Sequence, residues 1–221
     1  MQLHEAMRTT PAVREFTDDP LPDDVLHRIL DHARFAPSGG NRQGTRVVVV
    51  RDRATRQRLA ELNEPAVRRY VAQSAAGESP WNPLHPPGPS PDEIAATEVP
   101  EAFTRPVLTA AVVLVFVVDL GVVAAMDQDL DRIGIVGGAS VYPLVWNVLL
   151  AARAEGFGGT ITTMAVAEED AVRALLGVPD GFAVAAVVPL GRPVKQVTRL
   201  RRRPVAELAT RERFDGEPFT P

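Results

Sequence analysis

From Val107 to Val118 the chain runs apolar for twelve residues, interrupted only by Thr109 and dominated by valine. β-Branched side chains are stiff at χ1 and suit a pleated surface, so the run reads as a β-strand buried on both faces. It is too short to span a bilayer, which takes roughly 20 residues. A strand without a polar face needs a packed layer on each side, and the rest of the chain has to supply both.

Candidates for those layers follow from periodicity. Asp24 to Ala36 places Val25, Leu26, Ile29, Leu30 and Ala33 on one helical face, with Pro22 and Asp23 as start signals. Arg46 to Arg51 holds four consecutive valines, a second short buried strand. Ala54 to Asn63 reads as helix, with the pattern running on towards Ala76 despite Pro65. Ile133 to Glu155 is apolar nearly all round, so as a helix it must be buried everywhere, in a core or between subunits. Pro143 either kinks that helix or marks its start, and Gly156, Gly158 and Gly159 end it. Thr160 to Thr163 is strand-like, Glu168 to Leu176 helical, and Phe182 to Leu190 a final strand. The order predicts an α+β sandwich with helices covering a central sheet.

Between Pro80 and Pro106 the composition changes, with eight of the 20 prolines and few aliphatics. We read residues 78–106 as an excursion within one domain covering 1–221, a lid or an arm around a partner. The tail from Arg199 to Pro221 is too polar for a core and is expected to run over a surface.

Several function classes drop out. A net charge of −4 leaves no basic footprint for nucleic acid. No cysteine is present, which removes disulfides, thiolate metal sites and a Cys nucleophile. Together with an N-terminus lacking an apolar h-region, this gives the expectation of a cytoplasmic protein. His27 and His32 are five apart, off the spacing that puts two ligands on one helical face, so no metal is expected. Ser38 and Ser140 lack a Gly-x-Ser-x-Gly context, and no Gly-x-Gly-x-x-Gly follows a strand.

What remains is concentrated in three places. Ala36-Pro37-Ser38-Gly39-Gly40-Asn41-Arg42-Gln43-Gly44 connects the first amphipathic helix to the first strand. Its backbone N–H groups, hydroxyl and two side-chain amides suit a planar, anionic, carbonyl-rich ligand, and two glycines let the backbone come close. Gly158-Gly159-Thr160-Ile161-Thr162-Thr163-Met164 is a second such stretch. Arginines form the third group, with Arg14 early and Arg199, Arg201, Arg202 and Arg203 in the tail. A guanidinium fork gives an anion two hydrogen bonds at once.

Val13-Arg14-Glu15-Phe16-Thr17 followed by the Pro37–Gln43 loop resembles the FMN-dependent nitroreductase family, whose members often read R-R-S-x-R-x-F and then A-P-S-x-x-N-x-Q. The resemblance covers about residues 7–60 and 107–205. It implies a three-layer sandwich, a mostly antiparallel sheet flanked by helices, and an intertwined homodimer with a flavin at each subunit interface. It carries Pro37, Ser38, Gly39, Asn41 and Gln43 to the flavin, and Arg14 and Arg202 to its phosphate. Gly159, Thr162 and Thr163 would lie along the reactive edge, where a backbone N–H or Thr hydroxyl reaches N5. No side chain need act as acid or base; the flavin carries the chemistry.

The implied activity is ping-pong transfer from NAD(P)H to a nitroaromatic, quinone or related small acceptor. Trp81, Asn82 and His85 of the proline-rich segment would then cover the flavin face. The Gly-Gly-Thr-Ile-Thr-Thr stretch also has some likeness to a deiodinase-like branch. Another FMN reaction on the same fold, such as dehydrogenation or reductive dehalogenation, therefore stays open, as does a non-catalytic flavin-binding role. The chain departs from the family pattern at Thr10-Pro11-Ala12, which stands where Arg-Arg-Ser is common. FMN affinity weaker than is typical is one expectation; Arg8 substituting from nearby is the other.

Overall fold

A computed structural model describes residues 1–221. Four strands, β1 (Thr45–Val50), β2 (Val112–Asp119), β3 (Gly158–Gly159) and β4 (Phe182–Gly191), form one sheet in the order β1-β2-β4-β3. Every pairing is antiparallel. Eight helices accompany it: α1 (Leu3–Thr9), α2 (Asp23–Ala33), α3 (Arg53–Ala75), α4 (Pro91–Ala96), α5 (Glu101–Thr109), α6 (Tyr142–Ala154), α7 (Glu169–Leu176) and α8 (Val205–Leu208).

The valine run explains the layering. Val112, Leu114, Phe116 and Val118 pack into one core with Leu26 and Ile29 of α2 and Val145 and Val148 of α6. Val113, Val115 and Val117 enter a second core with Leu59 of α3, Val107 of α5 and Val172 of α7. Alternate side chains of a strand point to opposite faces, so β2 feeds both cores. No helix is long and apolar enough to cross a membrane.

Two sequence expectations need correction. The strand starts at Val112, and Val107 to Thr109 are instead the last turn of α5, with Pro106 inside that helix. An apolar run cannot by itself separate a buried helical turn from a buried strand. The helix expected over Ile133–Glu155 is only Tyr142–Ala154, preceded by a 3₁₀ turn at Val136–Ser140. Pro143 marks its start, because the first turn tolerates a residue without an N–H. The proline-rich segment holds α4 and the start of α5. Ser90 and Glu93 form a reciprocal capping box at the start of α4, a Ser-x-x-Glu signal present in the sequence.

Asp127 fixes the turn between β2 and α6. Its side chain is 4% exposed, pairs with Arg132 at 2.7 Å, and accepts from the Ile135 N–H at 2.7 Å and the Val136 N–H at 3.2 Å. The Ile135 N–H, followed by Arg132, lowers its pKa from 3.8 to about 2. The folded value lies below the unfolded one, so this stabilisation is fully present above about pH 4 and lost as pH falls through 2. Asp127→Asn is expected to flatten the fall in thermal midpoint between pH 4 and pH 2. Parallel slopes for the two proteins over that window would contradict this account.

Candidate functional site

β3 ends at Gly159, yet the antiparallel register continues, with Thr162 exchanging hydrogen bonds with Val187 of β4 at 2.9 and 2.8 Å. In that register Thr160 stands opposite Pro189, which has no N–H to donate, so the ladder breaks there. Thr160 is buried, 5% exposed, and neither its N–H nor its C=O makes a backbone hydrogen bond. The N–H groups of Ile161 and Thr163 are likewise unspent. Ile161 and Thr163 are exposed, so their N–H groups are open to solvent or to a ligand at the sheet edge. The strand-like expectation for Thr160–Thr163 thus survives only as one bridged pair.

The two glycines allow neighbouring chain to lie close. A Cβ on Gly159 would sit 2.4 Å from the Pro189 carbonyl oxygen, and one on Gly158 would sit 2.8 Å from Val13. Val13 donates its N–H to the Gly159 C=O at 2.9 Å, and Thr17 donates to Arg192 C=O at 2.9 Å. The Val13–Thr17 segment is thereby laid along the sheet edge, with Arg14 exposed beside the Thr160–Met164 strip. Arg14, Thr160, Thr162, Thr163 and Met164 line one cavity of about 210 Å³. Tyr70 of α3 and Phe103 of α5 line it too, with ring centroids 5.5 Å apart.

Sequence reasoning named neither aromatic, although Phe103 lies in the Pro80–Pro106 segment that, with Trp81, Asn82 and His85, is expected to cover the flavin face. The structure turns Trp81 back onto α3 instead. Its indole N–H donates to Ala66 C=O at 3.3 Å, and the Arg69 guanidinium lies 3.9 Å above its ring. Neither Asn82 nor His85 lines the cavity.

The Pro37–Gln43 loop is built differently. Gly40, Asn41 and Gln43 all have positive φ, +59°, +52° and +51°. For non-glycine residues that conformation is strained, and it persists where surroundings over-determine it, often at ligand sites. Here the Ser38 hydroxyl accepts from the Gln43 N–H at 2.9 Å, and Ser140 Oγ accepts from the Gly39 N–H at 3.0 Å. Arg42 and Arg46 clamp the Val122 and Gln43 carbonyls at 3.2 and 3.0 Å. Pro37, Ser38 and Gln43 line a cavity of about 150 Å³ with Arg34, Arg46 and Ser140; Gly39 and Asn41 lie exposed beside it.

The two groups do not meet within one chain. The loop leads into β1 at one sheet edge, and Thr162 bridges β4 at the other, so they are separated by three strand spacings, ~14 Å. Arg202 joins neither; it is exposed in the tail and donates to the Arg201 carbonyl at 2.7 Å. At the departure from the family pattern, Thr10 is buried and its hydroxyl donates to the Ala6 carbonyl at 2.7 Å. Arg8 is exposed in the last turn of α1 and lines neither cavity.

An antiparallel sheet between two helical layers, with a glycine-opened edge strip and a separate strained loop, is the nitroreductase fold. The solved NADPH:FMN oxidoreductase of Vibrio harveyi, complexed with NAD+, shares it at TM-score 0.68 and 22% identity. That likeness covers 96% of this chain and 78% of that one. An iodotyrosine deiodinase bound to FMN and 3-iodo-L-tyrosine matches at TM-score 0.65 and 20% identity, covering 92% and 96%. In sequence, an NADH dehydrogenase of Thermus thermophilus is 30% identical over 190 residues, 84% of this chain and 83% of that protein. The family model of the nitroreductases matches residues 7–192, and the chain belongs to that family.

Proposed function

We propose that the protein is an NAD(P)H-dependent FMN oxidoreductase that reduces nitroaromatic, quinone or related small acceptors as a homodimer. The observation that carries this reading is the sheet edge at Thr160–Thr163, where the Ile161 and Thr163 N–H groups have no backbone partner beside Arg14. Its donors and carbonyl fit the polar edge of a flavin ring, and the adjacent guanidinium fits a phosphate. When bound, FMN would supply a store for two electrons, taken up as hydride at N5. The chain's part is to hold and shield it. Gly159, Thr162 and Thr163 would face the ring edge, while Arg14 and Arg202 would hold the phosphate. The reductant and then the acceptor would use the same cavity in turn, which makes the reaction ping-pong.

The separation of the two groups supports the homodimer, in which Pro37, Ser38, Gly39, Asn41 and Gln43 would reach the flavin from a second copy. Exposed apolar side chains between β2 and α6, Leu120, Met126, Ile133 and Ile135, support the pairing, and Ser140 of the same segment holds the Gly39 N–H. One fold covering residues 1–221, in a reducing cytoplasm, is the setting consistent with the absence of cysteine.

The test is the visible spectrum of purified protein before and after adding FMN and desalting. Retained bands shifted from those of free FMN are expected. A colourless protein that releases all FMN would end the oxidoreductase reading.

A further inference from the structure

We propose that residues 78–97 form a strap that opens and closes as one unit, with Gln73 of α3 as its buckle. The inference is independent of what the neighbouring cavity binds. From Glu78 to Arg105 no residue is buried, so this stretch has no core of its own. Few buried apolar contacts and an exposed backbone mark a segment that opens before the rest of a fold. What holds it to α3 is polar, and the polar contacts converge on one side chain.

Gln73 stands near the end of α3 and is 1% exposed. Its carbonyl oxygen accepts from the Trp81 N–H at 3.1 Å and from Arg69 Nε at 3.2 Å. Its amide nitrogen donates to Glu78 Oε2 at 2.9 Å, and Glu78 Oε1 accepts from the Gly88 N–H at 2.8 Å. A neutral amide offers acceptor and donor together, and a carboxylate at 78 accepts from both sides through separate oxygens. A Cβ on Gly88 would sit 2.2 Å from Glu78 Oε1, so that turn meets the carboxylate without a side chain.

The closed strap also stores strain. Trp81 has φ +57°, a backbone conformation that persists only where contacts over-determine it. Its N–H on Gln73, its indole N–H on Ala66 and its ring under Arg69 supply those contacts. Loss of Gln73 frees the Trp81 backbone and the Glu78 carboxylate together. At the far end Arg68 donates to the Ala95 and Thr97 carbonyls. The chain then enters α5 through Pro100, and the first turn of that helix brings Ala102 and Phe103 to the cavity. A closed strap holds that turn in place, and an open one releases it.

Amide hydrogen exchange of the purified full-length protein, read peptide by peptide, is the test. In the wild type, residues 79–97 are expected to exchange more slowly than an unstructured chain but faster than β2 and β4. Gln73→Leu keeps the side-chain size and removes the three hydrogen bonds. It is expected to speed exchange over 79–97 by a common factor of roughly 10 to 100. The first turn of α5 should follow, while β2 and β4 stay within about twofold of wild type. Glu78→Gln, which puts a donor where an acceptor is needed, should give the same pattern at a smaller size. That variant decides the matter should Gln73→Leu fail to fold. Exchange over 79–97 at the wild-type rate in both variants would overturn the buckle. A speed-up shared equally by β2 and β4 would make Gln73 a support of the whole fold, and the strap would fall with it. A first turn of α5 that keeps its wild-type rate would overturn the strap's hold on the cavity.

Discussion

Arg14→Ala is expected to weaken FMN binding roughly 10- to 150-fold, the equivalent of one charge-assisted hydrogen-bonded contact worth about 1.5–3 kcal/mol. The side chain is exposed and lines the cavity beside the Thr160–Met164 stretch. Its backbone is held independently, through the Val13 N–H to Gly159 and the Thr17 N–H to Arg192. Truncation should therefore leave the thermal midpoint of the flavin-free protein almost unchanged. The effect should be large because the neighbouring residues offer the phosphate no substitute donor. Thr10 spends its hydroxyl on Ala6, and Pro11 has no N–H. Arg14→Lys, which keeps the charge but not the planar fork, should fall between the two. Fluorescence titration with FMN decides the matter; a dissociation constant within twofold of wild type would place the phosphate elsewhere.

Phe116→Ala should have the largest effect on stability, about 3–5 kcal/mol, a large part of the 5–15 kcal/mol that holds a typical domain together. Phe116 is fully buried in the middle of β2, directed at the α2 and α6 layer. Its cross-strand neighbours are Ala186 on β4 and Val47 on β1. Neither is large enough to fill the void, and both are fixed by sheet hydrogen bonds, so the cavity would persist. A sheet irregularity falls just after Phe116, where the register with β4 shifts before Val117. Phe116→Leu, which keeps most of the volume, should lose less than about 1.5 kcal/mol. Urea unfolding midpoints would measure both, and a loss below about 1 kcal/mol for the alanine variant would mean that the layers relax more than the packing indicates.

Much of this architecture is legible wherever one period dominates. The 3.6-residue pattern of α2 and the valines of β1 locate those elements to within three residues, and α3 runs through Pro65 as its pattern indicates. Legibility fails where an apolar stretch is shared by two elements, as at Val107–Val118, or where a 3₁₀ turn leads into a helix, as at Val136–Ser140. The site divides the same way. Its contiguous pieces, the Pro37–Gln43 loop and the Gly158–Met164 stretch, carry glycines that announce close approach. Tyr70 and Phe103 carry no such signal, because they meet only when α3 and α5 pack. Ser140, which belongs to no motif in the sequence, holds the Gly39 amide through a contact that only the fold creates.

The positive φ angles of Asn41 and Gln43 have an evolutionary side. Each disfavoured backbone conformation costs of order 1–3 kcal/mol, and a glycine at either position would relieve most of it. A lineage screened for thermal robustness alone would find such replacements early, since stabilising changes are common at strained positions. If the loop takes the ligand proposed above, that ligand meets a surface already set rather than one that must first be ordered.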